Sequence, residues 1–478
     1  MNKMMHPGIV WIKNSLGLYI TLRHSRVGGN PCGDRYNSLT MDSRLRGNDG
    51  DGFSELGLLR TSPHKKEVGW ANASSAQHST LLELATHILG FLRQRNLRMQ
   101  CWRAVAIAVV AMASWSLSAA AAPPVACDYW PAWNSFRAHF MNDGGRIIDP
   151  AGASGISTSE GQSYGLFFAL VANDRPDFER ILHWTEDNLA AGDLTARLPA
   201  WKWGKRDDNI WAVIYANAAS DADLWIAYTL AEAGRLWKEP KFAALSRLLA
   251  ERIVREESVP ISGIGRTLLP GPQGFTPEAG VYRLNPSYLP LQLLRRMAAV
   301  YPKQEWEQMV TTSRDLIVDS APRGFAPDWI LYKEGGGAQA DVSSNAIGSY
   351  NAIRVYLWAG MLDSADPLRS SLLKALAPAA AYVVKNGTPV LEINTRTGVA
   401  NGVGSAGFSA AMLPFLQASG LPDGVDQQRA RVIAKASLER TDNYYEQALT
   451  LFGVGWLDGY YRFARAGQLI PRWTCVAN

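Results

Sequence analysis

The chemistry open to this chain is limited first by the residues it lacks. After residue 122 it has two histidines, His139 and His183, and both fall in segments with the pattern of outer, amphipathic helices. A histidine-based metal centre or a Ser-His-Asp triad is therefore not expected. There is no P-loop or dinucleotide fingerprint, since Gly335-Gly336-Gly337 has neither the spacing nor the preceding strand. Carboxylates and aromatic residues remain, and we expect no cofactor and no metal.

Glu160 stands at the start of a segment that predicts a buried helix. The residues that follow it, Leu166–Val171, are all apolar. A carboxyl group directed toward an apolar interior has a raised pKa and can hold a proton near neutral pH, which is what a general acid needs. The alternative is a capping-box glutamate three residues after Ser157.

Two further polar pairs stand at the starts of predicted buried helices. Asp221 and Asp223 open the helix that runs to Trp237, where they either cap the helix or resemble a metal-binding D-x-D without a third ligand. Asn351 and Arg354 are three residues apart and share one helix face. A buried arginine needs a carboxylate or a polar ligand, unless Asn351 and the adjacent loop backbone satisfy it.

Aromatic residues are concentrated near these positions. Thirteen of the 17 tryptophans lie after residue 128. Trp201, Trp203, Trp211 and Trp329 fall in or beside predicted loops, where flat rings with a polar edge suit the faces of sugars. Filling of a large helical core is the alternative for each of them. The cluster Trp201–Gly204 favours a sugar-lined groove.

The elements that must position these groups are helical. The pattern predicts twelve helices, at roughly 129–141, 160–173, 176–190, 221–236, 239–256, 286–300, 303–319, 348–362, 366–384, 407–418, 425–440 and 444–463. Amphipathic helices alternate with helices that are apolar nearly all round, and the latter must be buried on every side. Strand alternation is limited to fragments such as Thr388–Ile393.

This alternation predicts an all-α fold, an (α/α)6 barrel of six inner and six outer helices. Residues 123–478 would then form one catalytic domain. An α-solenoid is the rival, but no fixed repeat period supports it. Long loops precede the buried helices and are expected to build the site at one end of the barrel. They span 191–220, 257–285, 320–347 and 385–406.

The first 122 residues differ from the rest in charge and pattern. They carry 14 Lys and Arg against 7 Asp and Glu, whereas residues 123–478 carry 34 against 36, so no nucleic-acid footprint is expected. The pattern of residues 1–98 does not predict a folded domain. The segment is either a flexible tail or a stretch translated from a misassigned start. Residues 99–122 have the basic, apolar and small-residue regions of a signal peptide. A membrane anchor is the alternative.

A signal peptide predicts a periplasmic or secreted protein. Cleavage would leave Cys127 and Cys475 near the two ends of the chain. The two cysteines are a candidate disulfide in an oxidising compartment, or else two free buried thiols.

The sequence resembles glycoside hydrolase family 8 over about residues 126–476. The signature lies in Ala219–Asp223, continued by Ile226-Ala227, Ala233 and Trp237. Further stretches match at Thr158–Leu166, Leu198–Lys205, Glu232–Glu239, Asn285–Pro290, Pro327–Trp329, Ser349–Trp358 and Gly407–Leu416. The closest likeness is to the endoglucanases encoded with bacterial cellulose synthase. The resemblance implies an (α/α)6 barrel that hydrolyses β-1,4-glycosidic bonds with inversion.

The resemblance also implies roles for single residues. Glu160 would be the general acid, and Asp221 would bind and distort the sugar at the point of cleavage. Arg354 and Tyr350 would surround the base position. The remaining expected substrate-binding residues are Tyr164, Trp201, Trp203 and Tyr288.

Asn351 departs from the pattern, because the resembling enzymes carry an aspartate there as the base. A neutral amide cannot take a proton from water. Either another carboxylate supplies the base, with Asp341 and Glu334 as candidates; or the protein binds glucan without cutting it well; or the residue is an engineered substitution.

The expectation is therefore an exported, monomeric endo-β-1,4-glucanase acting on a cellulose or cello-oligosaccharide chain, with a functional link to cellulose synthesis. A periplasmic glucan-binding protein is the alternative from another class. A polysaccharide lyase is weaker, because lyases of this shape favour basic grooves.

Overall fold

The computed structural model describes residues 9–13, 19–23, 130–150, 155–302, 304–435 and 443–473. The chain divides into two units, residues 1–112 and 113–478. In the first unit, strands β1 (Ile9–Lys13) and β2 (Tyr19–Arg23) form an antiparallel pair. The predicted signal peptide at 99–122, the rest of the predicted extension, Cys127 and Cys475 lie outside the described residues.

The described part of the second unit contains twelve α-helices. They are α1 (Pro131–Phe140), α2 (Ser159–Val171), α3 (Arg175–Leu189), α4 (Ser220–Leu236), α5 (Pro240–Glu256), α6 (Leu291–Val300), α7 (Gln304–Ser320), α8 (Ile353–Met361), α9 (Arg369–Asn386), α10 (Ala406–Ala418), α11 (Pro422–Lys435) and α12 (Tyr444–Leu457). Short 3-10 turns occupy Pro286–Tyr288 and Val342–Ser344.

The even-numbered helices form an inner ring and the odd-numbered helices an outer one. Helices α2, α8 and α10 are buried over almost their whole length, whereas α5 buries only one stripe of residues. Each inner helix contacts the next around the ring, and the ring closes where Phe452 of α12 packs on Phe168 of α2, with ring centroids 4.6 Å apart. The predicted (α/α)6 barrel is confirmed.

Glycines let the inner helices approach each other closely. A methyl group on Gly453 of α12 would overlap the carbonyl oxygen of Ala410 in α10. One on Gly360 of α8 would overlap the backbone nitrogen of Phe415, also in α10. At these two crossings the packing requires a residue without a side chain.

The described part of the second unit contains little sheet, in agreement with the prediction that strands are scarce. Thirteen short strands lie between or after the helices: β3 (Ser157–Thr158), β4 (Lys202–Lys205), β5 (Trp211–Tyr215), β6 (Ser258–Ile261), β7 (Gly265–Leu268), β8 (Val281–Leu284), β9 (Ile330–Lys333), β10 (Gly337–Ala340), β11 (Ile347–Gly348), β12 (Val390–Asn394), β13 (Ala400–Val403), β14 (Tyr461–Phe463) and β15 (Leu469–Pro471). They pair as small antiparallel sheets, ordered β3-β4-β5, β6-β7, β8-β9-β10, β11-β12-β13 and β14-β15. Strands of two to five residues are too short to show a clear alternation.

Most helix boundaries differ from the predictions by three residues or fewer, but three of those inside the described ranges differ by five or six. Helix α6 begins after Pro290, because the prolines at 286 and 290 confine the preceding residues to a 3-10 turn and a bend. Helix α12 ends at Leu457, just before Gly459 at a φ of 78°, and the chain continues as β14. Helix α8 begins at Ile353, so that residues 349–352 form the turn that leads into it.

Candidate active site

The starts of the inner helices bring together the three residues predicted to be catalytic. Glu160 lies in the first turn of α2, Asp221 in the first turn of α4, and Asn351 just ahead of α8. Arg354 links two of them: its Nη1 donates to Asp221 Oδ2 and its Nη2 to Asn351 Oδ1, each at 2.8 Å. The four long loops predicted to build the site all lead into this end of the barrel.

Glu160 has one oxygen held and one without a partner. Trp201 Nε1 donates to its Oε1 at 3.1 Å, while its Oε2 is enclosed and has no hydrogen-bond partner among the described residues. Trp201 is fixed in turn, because its carbonyl accepts the N–H of Ser159. The helix cap is Thr158, whose side chain accepts from Gly161, so a capping box from Ser157 does not form.

Burial raises the pKa of Glu160 to about 7, and the nearby Asp221 carboxyl adds to the rise. The Arg354 guanidinium and the Trp201 hydrogen bond act in the opposite direction. Burial therefore outweighs the favourable field at the helix N-terminus. A carboxyl group with this pKa retains its proton up to neutral pH and can donate it to a leaving oxygen.

Asp221 is an ion-pair partner and does not cap its helix. The residue at the N-cap of α4 is Ala219, which has no side chain able to cap. Burial raises the pKa of Asp221, and the ion pair with Arg354 acts against that rise. Tyr164 Oη accepts a second hydrogen bond from the same Nη1, at 2.8 Å. Asp221, Arg354 and Tyr164 thus form one buried polar network of groups able to bind sugar hydroxyls.

Asn351 meets Arg354 from the turn before α8, and not from within one helix as predicted. Its Oδ1 accepts from Arg354 Nη2 and from Asn285 Nδ2, the latter at 3.2 Å. Two donors on this oxygen would hold an aspartate in the same position in its ionised form. The site therefore has the hydrogen-bonding pattern of a carboxylate position, occupied by an amide.

The predicted aromatic residues separate into two groups. Tyr164 and Tyr288 belong to the site, with Arg354 Cζ lying 5.5 Å from the centre of the Tyr288 ring. Trp201 contacts Glu160 directly. Trp203 instead stacks on Trp211 at 5.0 Å in the β4–β5 hairpin.

Tyr350 is on the rim of the site. Its side chain is 52% exposed, and its ring packs against Phe408 with centroids 5.2 Å apart. Its carbonyl accepts a hydrogen bond from the Tyr445 hydroxyl, which ties the turn before α8 to the start of α12.

The two carboxylates predicted as alternative bases have other partners. Arg283 donates twice to Asp341 Oδ2, at 3.1 and 3.0 Å, and Ser343 also donates to this carboxylate. Burial acts to raise the pKa of Asp341, but these hydrogen bonds hold it below its usual value. Glu334 Oε1 accepts from the Ser262 N–H and the Tyr282 hydroxyl. The hydrogen bonds recorded for both lie within the β8–β9–β10 region and the neighbouring β6–β7 turn.

Asp328 is a carboxylate at the site that the sequence analysis did not single out. Its Oδ1 accepts the N–H groups of Ser349, Asn351 and Ala352 at 2.8, 3.0 and 2.7 Å. Burial raises its pKa, and these backbone N–H groups and Arg354 act against the rise. Its one sequence signal was its place in Pro327–Trp329, a stretch that resembles the family.

A second unpredicted feature is a pair of carboxyl groups behind Asp221. Asp223 and Glu257 are both fully buried, and their carboxyl groups interact with each other. No N–H or O–H donor of the described residues reaches their four oxygens. Since an ionised carboxylate can only accept, one of the two must carry a proton. Burial raises the pKa of Glu257 to about 8 and that of Asp223 well above its usual value.

Comparison with known proteins identifies the family. The family model described as Glycosyl hydrolases family 8 matches residues 98–459. This chain belongs to glycoside hydrolase family 8. The membership confirms the resemblance seen in the signature around Asp221.

Family 8 relatives cover most of the chain. An endoglucanase of Escherichia coli (strain K12) is 44% identical over 378 residues, which is 78% of this chain and 98% of that protein. An endoglucanase of Xanthomonas axonopodis pv. citri (strain 306) is 46% identical over 361 residues, 75% and 94% of the two chains. The crystal structure of endo-1,4-D-glucanase from Vibrio fischeri ES114 has 43% identity and a TM-score of 0.69, covering 72% of this chain and 100% of that one.

Among the residues that the structure describes, this family 8 chain has no helix long and apolar enough to cross a membrane.

Proposed function

We propose that the chain is an endo-β-1,4-glucanase that hydrolyses the internal glycosidic bonds of cellulose or cello-oligosaccharides with inversion. The observation that carries the proposal is Glu160, a buried carboxyl group with one oxygen held by Trp201 and the other free. The names of the relatives, endoglucanase and endo-1,4-D-glucanase, support the same activity.

In the proposed reaction Glu160 gives its proton to the glycosidic oxygen as the bond from that oxygen to the anomeric carbon breaks. Water adds to the anomeric carbon from the opposite face, which inverts its configuration. The Asp221–Arg354–Tyr164 network would bind and distort the sugar at the point of cleavage. The ring of Trp201, beside the acid, would pack against a sugar face.

The amide of Asn351 favours a second candidate function. Because loss of a general base typically lowers the rate by ~10²–10⁴-fold, this barrel would bind glucan and cut it slowly if no other group accepts the proton. The protein would then act as a glucan-binding protein on a hydrolase scaffold.

The biological setting is part of the proposal. The signal-peptide pattern at 99–122 supports export to the periplasm or beyond. The resemblance to endoglucanases encoded with cellulose synthase supports a role beside that machinery, and we propose that the exported enzyme acts as a monomer. Secretion of a reporter fused after residue 122 would test the export, with deletion of 99–122 as its control.

The activity itself is tested by reducing-end release from soluble carboxymethyl-cellulose. We expect activity in the unaltered chain that Glu160→Gln lowers by at least 10²-fold, while the surface variant Glu251→Gln is unaffected. Proton NMR of the early product should show the α-anomer, as inversion of a β-bond requires. Activity that appears only after Asn351→Asp would indicate the binding function, and inactivity of both chains on β-1,4-glucans would contradict the substrate class.

A further inference from the structure

The proposed reaction needs a group that removes a proton from the attacking water, and Asn351 cannot be that group. The carboxylates near Asn351 can be considered one at a time. Glu160 is the acid, and Asp221 is paired with Arg354. Asp223 and Glu257 are fully buried and coupled to each other, and no donor among the described residues reaches their oxygens. None of these four is free to accept the proton.

Asp328 differs from these four in its contacts, and it is less buried than Asp221, Asp223 and Glu257. It is the carboxylate joined directly to Asn351, through the hydrogen bond from the Asn351 N–H to its Oδ1. All three backbone donors reach Oδ1, and no hydrogen bond to Oδ2 is recorded among the described residues. The residue as a whole is half-buried, although burial is the main influence on its carboxyl group.

Asp328 also belongs to the same electrostatic environment as the acid. The Arg354 guanidinium acts to lower the pKa of Glu160, Asp221 and Asp328 alike. Burial raises the pKa of Tyr445 to about 12, and Asp328, Asp221 and Glu160 all add to that rise. The three carboxyl groups are therefore coupled electrostatically to the same guanidinium and the same phenol.

We propose that Asp328 is the general base of this chain, acting in place of residue 351. Its Oδ2 takes the proton of the attacking water, directly or through one intervening water molecule. The water oxygen bonds to the anomeric carbon, the glycosidic bond breaks, and the leaving oxygen takes the proton of Glu160. The cycle ends with Asp328 protonated and Glu160 ionised, and exchange with solvent resets both.

The backbone contacts of Asp328 allow a variant that separates its chemistry from its structural role. In Asp328→Asn the amide carbonyl can still accept the three N–H groups that Oδ1 accepts now. The variant therefore keeps the support of the turn before α8 and loses only the ability to take a proton. We expect kcat on carboxymethyl-cellulose to fall by ~10²–10⁴-fold.

The decisive measurement is rescue by a carboxylate at 351. If Asp328 is the base, Asn351→Asp supplies a new one, and the double variant D328N/N351D should have a kcat within about tenfold of N351D alone. The acidic limb of the profile of kcat/KM against pH, which reports the base, should be absent in D328N and return in the double variant. Asp341→Asn, at a carboxylate held by Arg283, is the matched control and should keep both activity and profile.

Three outcomes would overturn the proposal. The first is full activity in D328N. The second is a double variant that lies as far below N351D as D328N lies below the parent, because Asp328 would then only support the turn. The third is a parent chain that is inactive until Asn351→Asp.

This inference rests on the proposed function, but different experimental results would contradict each of the two. Inactivity of both the parent and N351D on every β-1,4-glucan would contradict the glucanase proposal itself. Activity that is lost in Glu160→Gln and kept in D328N would contradict only the assignment of the base.

Discussion

The two ends of helix α4 each contain a buried acid, but only the acid near the C-terminal end is surrounded by hydrogen-bond donors. Toward its C-terminal end, Glu232 is fully buried and every oxygen has donors: Arg296 contacts Oε1, while Arg235 and the Leu469 N–H contact Oε2. In the first turn, Asp223 is equally buried, but no donor among the described residues reaches its oxygens, and it is coupled to another acid, Glu257.

The charges differ in the same way. Arg235 and Arg296 both contact the single carboxylate of Glu232, whereas at the first turn the described residues place one guanidinium, that of Arg354, against an acid, Asp221. Four carboxyl groups, those of Glu160, Asp221, Asp223 and Glu257, cannot all be ionised there, since buried like charges repel and burial disfavours the charged form. The C-terminal end is therefore built for stability, and the first turn is built to retain protons.

The largest effect on stability should follow from removing the negative charge of Glu232 at the C-terminal end of α4. Glu232→Gln leaves two guanidiniums beside a neutral side chain, and we expect the free energy of unfolding to fall by about 3–5 kcal/mol. Urea denaturation measures the loss. Glu251→Gln, whose partner Arg247 is a surface arginine, should change it by less than about 1 kcal/mol. A stable Glu232→Gln with reduced kcat would contradict the structural role of this end.

The next effect concerns the proton on the carboxyl group of Glu160. If Glu160 is the general acid, as proposed, it must be protonated to act; because burial raises its pKa to about 7, kcat/KM should then fall about tenfold for each pH unit above that value. Trp201→Phe removes a hydrogen bond that lowers this pKa, so the alkaline limb should move to higher pH. The profile of kcat/KM against pH checks both, and an unmoved limb in Trp201→Phe would show that another group sets it.

The smallest effect tests the Asp223–Glu257 pair. A carboxyl group whose pKa rises on folding stabilises the fold fully below its unfolded pKa of about 4.5 and loses that contribution as the pH rises through about 8. Glu257→Gln replaces the titrating proton by a permanent N–H donor. Its melting temperature relative to the parent should therefore be higher at pH 8.5 than at pH 5, by about 2 °C.

Glu256→Gln is the control for this last comparison. Glu256 neighbours Glu257 in the chain, but it is paired with Arg252 and Arg255 near the surface. It should show no such gain at alkaline pH. If Glu257→Gln behaves like Glu256→Gln, the buried pair does not hold an extra proton.

The sequence by itself determined the helices and their order around the barrel. A helix such as α2, apolar on every side, can only be buried, and its alternation with one-sided helices such as α5 leads to two rings. The family signature around Asp221 and the apolar residues after Glu160 placed two site residues at the starts of inner helices. These inferences succeeded because periodicity and helix starts are local properties of the chain.

Only the tertiary structure decided which side chains meet across the barrel. Arg283, 58 residues away in sequence, holds Asp341, while Asp328 reaches the backbone of Asn351 across 23 residues. The Asp223–Glu257 pair joins the first turn of α4 to the residue that follows α5. Such contacts depend on how loops of 20 to 30 residues return to the ring, and their short strands and turns leave little trace in the sequence. The protonation of each acid follows from its burial and neighbours, and those exist only in the folded barrel.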